Sequence, residues 1–316
     1  MFRALLRYGG CGLAIALLLI SSAMAQTPVP EAAKPDTCKH TITGDVEIFD
    51  FTSKIFDNTR KLRVFLPPGY NDEKNKDRKY PVLIMFDGQN LFDACTAFDH
   101  VYEWQIDETI TRLVSEGRIE PLIVIGIDNA QEKRAYEYLP WKDTIQQPFM
   151  DEPNGRMLPT FILQELAPAM AKKYRIETAK ENMTAIGGSS YGGVAALYVA
   201  LSAPMVFRKV IAESPVLNVG NGQLVRDTAE LPVAPEKVFL GLGGKEAHYD
   251  NEVMLKLARQ LEKNLKSALY KPAEVRFVLD EPSEHNEQAW AKRFPEAIEF
   301  LFPALKPAAK PAPEKK

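Results

Sequence analysis

The stretch GGSSYGG occupies residues 187–193, between the segments NMTAI and VAALYVALSA. The first flank is typical of a buried strand and the second of a helix. Gly188, Ser190 and Gly192 fit the pattern G-x-S-x-G, in which a strand turns abruptly into a helix and holds the central serine in a strained backbone conformation. Side chains at the flanking positions would clash in so sharp a turn. We therefore predict a nucleophile elbow with Ser190 as its nucleophile.

Two other structures are compatible with a glycine-rich stretch: a phosphate-binding loop and an ordinary strand-to-helix turn. The phosphate-loop pattern G-x-x-x-x-G-K-[ST] and the dinucleotide pattern G-x-G-x-x-G are both absent from the chain. The nearest match, GLGGKE at 241–246, has Glu246 where the third glycine should stand. The elbow is therefore the favoured interpretation.

Short apolar runs recur on both sides of this stretch and alternate with helical patterns. The runs are VEIFDF (46–51), KLRVFL (61–66), PVLIMF (81–86), PLIVIGI (121–127), MTAIGG (183–188), KVIAES (209–214), KVFLGL (237–242) and EVRFVL (274–279). The last six are dense in Val, Ile, Leu and Phe, as expected of strands buried on both faces. The helical patterns cover Trp104–Ser115, Leu158–Tyr174, Gly193–Ala203, Asn251–Ala268 and Glu287–Leu301. This alternation predicts an α/β fold with a mainly parallel sheet, helices on both faces and the first two runs as an antiparallel edge hairpin.

The two ends of the chain differ in composition from its centre. The N-terminal residues carry Arg3 and Arg7, then the apolar run CGLAIALLLI and the small residues SSAMA, which is the layout of a secretory signal peptide. The apolar run is too short to span a bilayer, which needs about 20 residues. We predict a signal peptide at 1–25, a Pro/Ala-rich linker at 26–37, one α/β domain at 38–303 and a disordered Pro/Ala/Lys tail at 304–316. The predicted location is periplasmic or secreted.

Cleavage after Ala25 would change both the charge and the cysteine content. Loss of two arginines would take the formal charge from −3 to −5, so we expect no nucleic-acid partner. We also expect no stable membrane insertion of the cleaved chain. Cys38 and Cys95 would remain as an even pair in an oxidising compartment. A disulfide between them is favoured, with two free thiols as the alternative.

A serine hydroxyl is a weak nucleophile at neutral pH and needs a histidine base that an acid orients. In α/β folds with this elbow, the chain order is serine, acid, histidine. His40 and His100 precede Ser190 and do not fit that order. His285, in the polar loop after the last strand, is the predicted base; His248 lies in the loop expected to supply the acid.

Glu246 is the favoured acid because it begins the loop after the strand run KVFLGL, where the acid is expected. Asp250 and Asp280 are the alternatives, together with the absence of a functional acid. The tetrahedral intermediate also needs backbone donors. We expect one from the amide of Tyr191, the residue after the nucleophile, and one from Gln89 in the loop after PVLIMF.

With these residues placed, the chain resembles the α/β-hydrolase esterase family that includes esterase D, enterochelin esterases, feruloyl esterases and the mycolyltransferases. The resemblance extends from about Val46 to Phe302. It rests on DGQNLFD (87–93), EWQIDE (103–108), VIGIDN (124–129), RAYEYLPW (134–141), GGSSYGG (187–193), GGKE (243–246) and HNEQAWAKRFP (285–295).

The resemblance implies the same nucleophile, base and oxyanion donors, and it places the acid at Glu246. Some siderophore esterases resemble Ser-His dyads, in which this acid would be dispensable. Arg134 matches an arginine that faces the substrate in siderophore-cleaving relatives. The alternative for Arg134 is a surface ion pair with Glu137 or Asp128.

The expected activity is hydrolysis of a small-molecule carboxylic ester through an acyl-enzyme, without a metal or another cofactor. Siderophore trilactones, feruloyl sugars and acetyl esters all remain open as substrates. An acyltransferase would use the same residues, and a non-catalytic binding protein on a hydrolase scaffold is the alternative from another class. Aromatic residues in two segments could border the cleft, although packing is their commoner role: Phe92, Phe98, Trp104, Tyr136, Tyr138 and Trp141.

Overall fold

The computed structural model describes residues 38–142, 152–178, 184–246 and 249–304. The predicted signal peptide and linker lie outside the described residues. His248 does so too, as does the predicted tail after Ala304.

One eight-stranded sheet runs through the described residues in the order β1-β2-β4-β3-β5-β6-β7-β8. Its strands are β1 (Asp45–Ser53), β2 (Asn58–Leu66), β3 (Val82–Phe86), β4 (Ile123–Ile127), β5 (Thr184–Ser189), β6 (Lys209–Glu213), β7 (Lys237–Lys245) and β8 (Glu274–Glu284). β1 and β2 form an antiparallel hairpin, and β2 is antiparallel to β4. The other neighbours are parallel. The predicted parallel sheet with an antiparallel edge hairpin is confirmed.

The central strands alternate their side chains between two hydrophobic cores, because successive residues of a strand point to opposite faces. In β3, Ile84 and Phe86 belong to one core, whereas Leu83 and Met85 belong to the other. β8 is different, since it is the last strand in the order and most of its residues are partly or fully exposed. The prediction that its run is buried on both faces is therefore wrong.

The helices cover both faces of the sheet, as predicted. They are α1 (Ile106–Ser115), α2 (Arg134–Tyr138), α3 (Leu158–Phe161), α4 (Ala167–Lys173), α5 (Tyr191–Ser202), α6 (Val219–Asp227), α7 (Asn251–Lys266) and α8 (Glu287–Leu301). α1 and α8 contribute to one core, and α4, α5 and α7 to the other. A π-helical turn, Ile162–Leu166, lies between α3 and α4.

Sequence patterns did not predict α2 or α6. α2 has five residues, too few for a helical period to be visible. α6 is interrupted by three consecutive residues with positive φ: Gly220 (58°), Asn221 (59°) and Gly222 (77°). Such backbone breaks the apolar spacing that would mark a continuous helix.

A short N-terminal segment is attached to the region after β3. Cys38 and Cys95 form a disulfide with a Cα–Cα distance of 5.6 Å, the pairing favoured from the sequence. Close by, the Thr41 hydroxyl accepts a hydrogen bond of 2.9 Å from the Ala94 amide. Among the described residues, the chain contains no helix that is both long enough and apolar enough to span a membrane.

Candidate active site

Ser190 lies at the turn between β5 and α5, with backbone angles φ 56° and ψ −125°. A non-glycine residue in such a conformation stores strain of about 1–3 kcal/mol, which the surrounding structure must offset. The neighbouring glycines make the turn possible: a Cβ on Gly188 would lie 2.7 Å from the backbone of Gly192. A Cβ on Gly192 would lie 2.9 Å from the carboxylate of Asp87. The predicted elbow geometry is present.

The backbone around Ser190 is held on both sides. Its amide donates a 2.9 Å hydrogen bond to the carbonyl of Glu213 at the end of β6. Its carbonyl accepts hydrogen bonds from the amides of Gly193 (3.1 Å) and Val194 (3.2 Å) in the first turn of α5. Ser190 as a whole is 9% exposed. The strained serine is therefore fixed by the adjacent strand and by its own helix.

Glu246 and His285 meet at the ends of the neighbouring strands β7 and β8. The Nδ1 atom of His285 is hydrogen-bonded to one carboxylate oxygen of Glu246. The other oxygen, Oε1, accepts hydrogen bonds from the Ser214 hydroxyl at 2.7 Å and from the Gly243 amide at 2.6 Å. The carboxylate thus has three donors, although Glu246 is only 1% exposed.

These donors determine the charge of Glu246. Burial alone would raise the pKa of the carboxyl group, but the hydrogen bonds from His285, Ser214 and the Gly243 amide outweigh it, and the pKa lies below its ordinary value. The carboxyl group of Glu246 is therefore ionised at neutral pH. A carboxylate at Nδ1 requires the proton of a neutral imidazole to be on Nδ1, which leaves Nε2 as an acceptor.

The two alternative acids have other contacts. Asp250 is the N-cap of α7, where its side chain accepts hydrogen bonds from the amides of Glu252 and Val253. Asp280 forms an ion pair with Lys292 at 2.8 Å. Of the three predicted candidates, Glu246 is the one that contacts the His285 ring.

Three residues that the sequence analysis did not single out complete this arrangement: Ser214, Trp290 and Tyr249. Trp290 packs edge-on against the His285 ring at 5.2 Å between centroids, and its Nε1 donates a 3.1 Å hydrogen bond to the Ser214 hydroxyl. Tyr249 lies against the same imidazole at 5.3 Å. The segment HNEQAW contained the signal for Trp290, five residues after the histidine, and Ser214 ends the run KVIAES.

The strands β5, β6, β7 and β8 are parallel neighbours in the sheet. Ser190, Glu246 and His285 follow β5, β7 and β8, so all three lie at the carboxyl ends of these strands. Within the described residues, no hydrogen bond joins the Ser190 hydroxyl to His285. Catalytic hydrogen bonds in enzymes without substrate are often long and shorten when substrate binds. This arrangement has the parts that a catalytic triad requires: a serine hydroxyl, an imidazole and a carboxylate that orients the imidazole.

The turn after β3 reaches the elbow from the other side. Asp87 has a left-handed backbone (φ 56°) and is followed by a 3-10 turn, Gly88–Asn90. A Cβ on Gly88 would lie 2.7 Å from the backbone of Gly126 in β4, so this position requires glycine. Gln89 is inside the 3-10 turn and Tyr191 is the first residue of α5. The N–H groups in the first turn of a helix have no acceptor within the helix and point out of its N-terminal end, where other groups or a ligand can accept from them.

Arg134 forms a bidentate ion pair with Asp87, with N–O distances of 2.7 and 2.8 Å. Burial would lower the pKa of the guanidinium, but the Asp87 carboxylate raises it, so Arg134 keeps its charge. Its guanidinium carbon lies 5.6 Å from the ring centroid of Tyr191 and 5.3 Å from that of Tyr138. The Tyr138 hydroxyl in turn accepts a 3.0 Å hydrogen bond from the Asp87 amide.

The alternative ion pairs considered for Arg134 are wrong. Glu137 is paired with Arg60 at 2.6 Å, and Asp128 with Arg63 at 2.8 Å. Both carboxylates are buried, and each is paired with an arginine of β2 instead of Arg134. The sequence did not reveal the Asp87 partner, because the two residues are 47 positions apart.

The six aromatic residues fall into two groups. Phe92, Trp104 and Tyr138 are buried in the cores, so packing is their role. Phe98 and Tyr136 are exposed, and Trp141 is partly buried. Among the described residues, two clusters have the residue types of a metal site: His40 with Asp93 and Cys95, and Glu103 with Asp107 and Glu108. Cys95 is in the disulfide with Cys38, so its sulfur is not available as a thiolate ligand. Neither group includes a predicted catalytic residue.

The chain is similar in sequence to a known family and to proteins of Bacillus subtilis. The family model described as "Putative esterase" matches residues 53–301. The ferri-bacillibactin esterase BesA of Bacillus subtilis is 25% identical over 203 residues, which cover 59% of this chain and 66% of that protein. The uncharacterized protein YjcH of the same organism is 27% identical over 178 residues, covering 55% and 63%. The chain therefore aligns with less than two thirds of each of these relatives.

Solved structures show the same fold at low identity. The BES protein from Bacillus cereus superposes with a TM-score of 0.62 at 20% identity, covering 88% of this chain and 99% of that one. A ferulic acid esterase from the anaerobic fungus Anaeromyces mucronatus superposes with a TM-score of 0.59 at 20% identity, covering 84% and 92%.

Proposed function

The chain belongs to the esterase family, and from that premise we propose that it hydrolyses carboxylic esters through an acyl-enzyme formed on Ser190. The observation that carries the proposal is the elbow: Ser190 has strained backbone angles at the same sheet edge as the Glu246–His285 pair. Strain of this kind persists at functional sites because the geometry is used there.

The proposed reaction begins with attack of the Ser190 hydroxyl oxygen on the ester carbonyl carbon. The hydroxyl proton passes to Nε2 of His285, and the carbonyl oxygen becomes an oxyanion held by the amides of Gln89 and Tyr191. Collapse of this intermediate breaks the carbon–oxygen bond, and the leaving alcohol takes the proton from Nε2. Water then attacks the acyl-enzyme by the same proton transfers and releases the acid.

Glu246 is proposed to hold the imidazole in the required tautomer and to stabilise the imidazolium that forms. Its low pKa supports this role, because an ionised carboxylate is what a transient positive charge on His285 needs. Ser214 and Trp290 support the role further, since they fix the carboxylate and the ring.

The substrate is proposed to be an ester with an aromatic acyl group. BesA is named as a ferri-bacillibactin esterase, and one structural neighbour is a ferulic acid esterase. Arg134 lies over the Tyr191 ring at the elbow, and Tyr249 lies against His285. A guanidinium over the Tyr191 ring and a tyrosine ring against His285 suit an aromatic, electron-rich ligand. Arg134 is therefore proposed to contact the substrate.

We also propose that the chain acts outside the cytoplasm, after removal of residues 1–25. The layout of that segment and the Cys38–Cys95 disulfide support this location. The N-terminal sequence of the mature protein from a native host tests it: a mature chain beginning at Gln26 is expected, and one retaining Met1 contradicts it.

The function is tested by hydrolysis of p-nitrophenyl acetate and butyrate by the purified mature chain and by Ser190→Ala. We expect clear turnover by the parent and a loss of kcat of about 10³-fold or more in the variant. Ser189→Ala is the matched control, because this serine belongs to β5, and its kcat should stay within about 10-fold of the parent. Equal rates for the parent and Ser190→Ala would refute the proposal.

Two other functions give different results in the same assay. An acyltransferase would pass most of the acyl group to an added alcohol, such as glycerol, and yield a new ester instead of the free acid. A binding protein on a hydrolase scaffold would show no turnover with any ester. Release of free acid as the main product is the result expected for a hydrolase.

A further inference from the structure

The proposed mechanism uses two loops that are distant in the chain and must keep a fixed separation. One is the turn Gly88–Asn90, which carries the Gln89 amide; the other carries His285 just before α8. A side-chain hydrogen bond joins them: Nδ2 of Asn90 donates to Oε1 of Glu287 at 2.9 Å, across 197 residues of sequence. Both residues are buried, at 6% and 5% exposure.

Asn90 is well placed to transmit this contact to Gln89. Its amide donates to the carbonyl of Asp87 at 2.9 Å, and its carbonyl accepts from the amide of Trp104 at 3.0 Å. The backbone on both sides of the asparagine is thus fixed, and Gln89 is its direct neighbour. The Asn90 side chain is therefore attached to the same short piece of backbone that presents the proposed oxyanion donor.

Glu287 is equally close to the base. It is the first residue of α8 and lies two positions after His285, while Asn286 between them caps the helix through a 3.0 Å hydrogen bond from the Ala289 amide. The carboxyl group is consequently attached to a rigid helix end. No ion pair with a Lys or Arg of the described residues involves Glu287, so charge pairing does not explain why it is buried.

We propose that Glu287 is a positioning residue that fastens the oxyanion turn to the base loop by holding the Asn90 side chain. The inference rests on the proposed esterase function and deepens it. Neither Asn90 nor Glu287 contacts the reacting atoms in this scheme. Their contact sets the distance between the Gln89 amide and the imidazole, to which catalysis is sensitive at the scale of 1 Å.

The proton state of Glu287 supports the arrangement. Burial raises the pKa of this carboxyl group to about 7; Asp99 and Asp87 also raise it, and Arg134 lowers it. Oδ1 of Asn90 is buried and has no hydrogen-bond partner among the described residues. A protonated carboxyl group offers one acceptor and one donor, which match the two ends of an asparagine amide.

The first test compares Glu287→Ala with the parent in the p-nitrophenyl ester assay. Loss of a buried hydrogen bond that leaves its partner unsatisfied predicts a kcat about 10-fold lower, with KM within about 3-fold, because substrate contacts are unchanged. Glu287→Gln should restore kcat, since a glutamine amide can pair with both ends of Asn90. Gln288→Ala, exposed on the same helix turn, is the matched control and should match the parent.

A double-mutant cycle with Asn90→Ala makes the test specific to the contact. Each single variant should lose about 10-fold in kcat, and the double variant should lose no more than either one, since both remove the same bond. Additive losses of about 100-fold would overturn the proposal, as would parent-like kcat in Glu287→Ala. Should Glu287→Ala fail to fold, Asn90→Ala removes the bond from its other side and carries the same prediction.

The pH profile gives a readout that a purely structural role would not move. Ionisation of Glu287 near pH 7 keeps the bond from Nδ2 of Asn90 but removes the proton that would be donated to Oδ1, so kcat of the parent should fall on the alkaline side and this limb should be absent in Glu287→Gln. Identical profiles would overturn the protonated pairing. Failure of the esterase function itself is recognised separately, because Ser190→Ala would then be as active as the parent.

Discussion

The two sides of the candidate site are built by different means. The base side consists of Glu246, His285 and Ser214 together with Trp290, and side-chain hydrogen bonds to an ionised carboxylate hold it together. The oxyanion side is the segment from Asp87 to Asn90, where backbone turns and the ion pair to Arg134 determine the geometry. Its proposed catalytic groups are backbone amides.

This difference determines how each side responds to substitution. Each proposed catalytic group on the base side is part of a side chain, so a single substitution removes it. An amide of the oxyanion side cannot be deleted in this way, and it can only be displaced by changing the side chains that hold its turn. Substitutions on the base side are therefore expected to cost more activity than those on the oxyanion side.

The largest effect of a supporting residue is expected for Glu246→Gln. A glutamine cannot stabilise an imidazolium and favours the wrong tautomer of His285, so kcat should fall by about 10³–10⁴-fold. Asp250→Asn is the matched control: asparagine caps a helix as well as aspartate does, so its kcat should stay near that of the parent. A larger defect in the control would show that Asp250 is the acid.

Acid stability tests the same carboxylate without any substrate. The pKa of Glu246 in the folded chain lies below its ordinary value of 4.5. The ionised group therefore contributes stability that is present above about pH 4.5 and is lost as the pH falls through the lower, folded value. Acid unfolding followed by circular dichroism should show this contribution in the parent and lack it in Glu246→Gln.

An intermediate effect is expected for Asp87→Asn on the oxyanion side. The substitution removes the negative charge and one of the two acceptors that hold the Arg134 guanidinium, and it loosens the turn before Gln89, which predicts a kcat about 10–100-fold lower. The control is Glu236→Gln, which removes a carboxylate paired with Arg208 at 2.7 Å, outside the site. Comparable kcat losses in both variants would mean that general destabilisation, not the position of the turn, causes the effect.

The base side of the candidate site could be predicted from the sequence better than the supports of the oxyanion side. The strands, the edge hairpin and the elbow followed from short-range patterns, since apolar runs and the spacing of Gly188, Ser190 and Gly192 are local, whereas the order of the strands in the sheet did not. The proposed base and acid, His285 and Glu246, were predicted from their positions after strands, and the structure brings these two residues into contact. The supports of the oxyanion side were not predicted, because Asp87 and Arg134 are 47 residues apart and Asn90 and Glu287 are 197 apart. Such pairs depend on tertiary packing, which no local spacing records.

The smallest effect on activity is expected from removing the disulfide, which joins the N-terminal segment to residues after the oxyanion turn. Replacing Cys38 and Cys95 together by serine should lower the unfolding free energy by about 2–4 kcal/mol. Because His40 and Thr41 still bind Asp93 and the Ala94 amide, kcat at 25 °C should stay within about 2-fold of the parent. A folded variant with a tenfold lower kcat would show that the oxyanion side needs this tether.

The central claim, that His285 makes the Ser190 hydroxyl nucleophilic, is tested most directly by covalent labelling with a fluorophosphonate. Mass spectrometry should find one equivalent of adduct per chain, on the peptide that contains Ser190, and the labelling rate should fall by about 10³-fold in His285→Ala. An adduct on another residue, or an unchanged rate without the imidazole, would contradict the account.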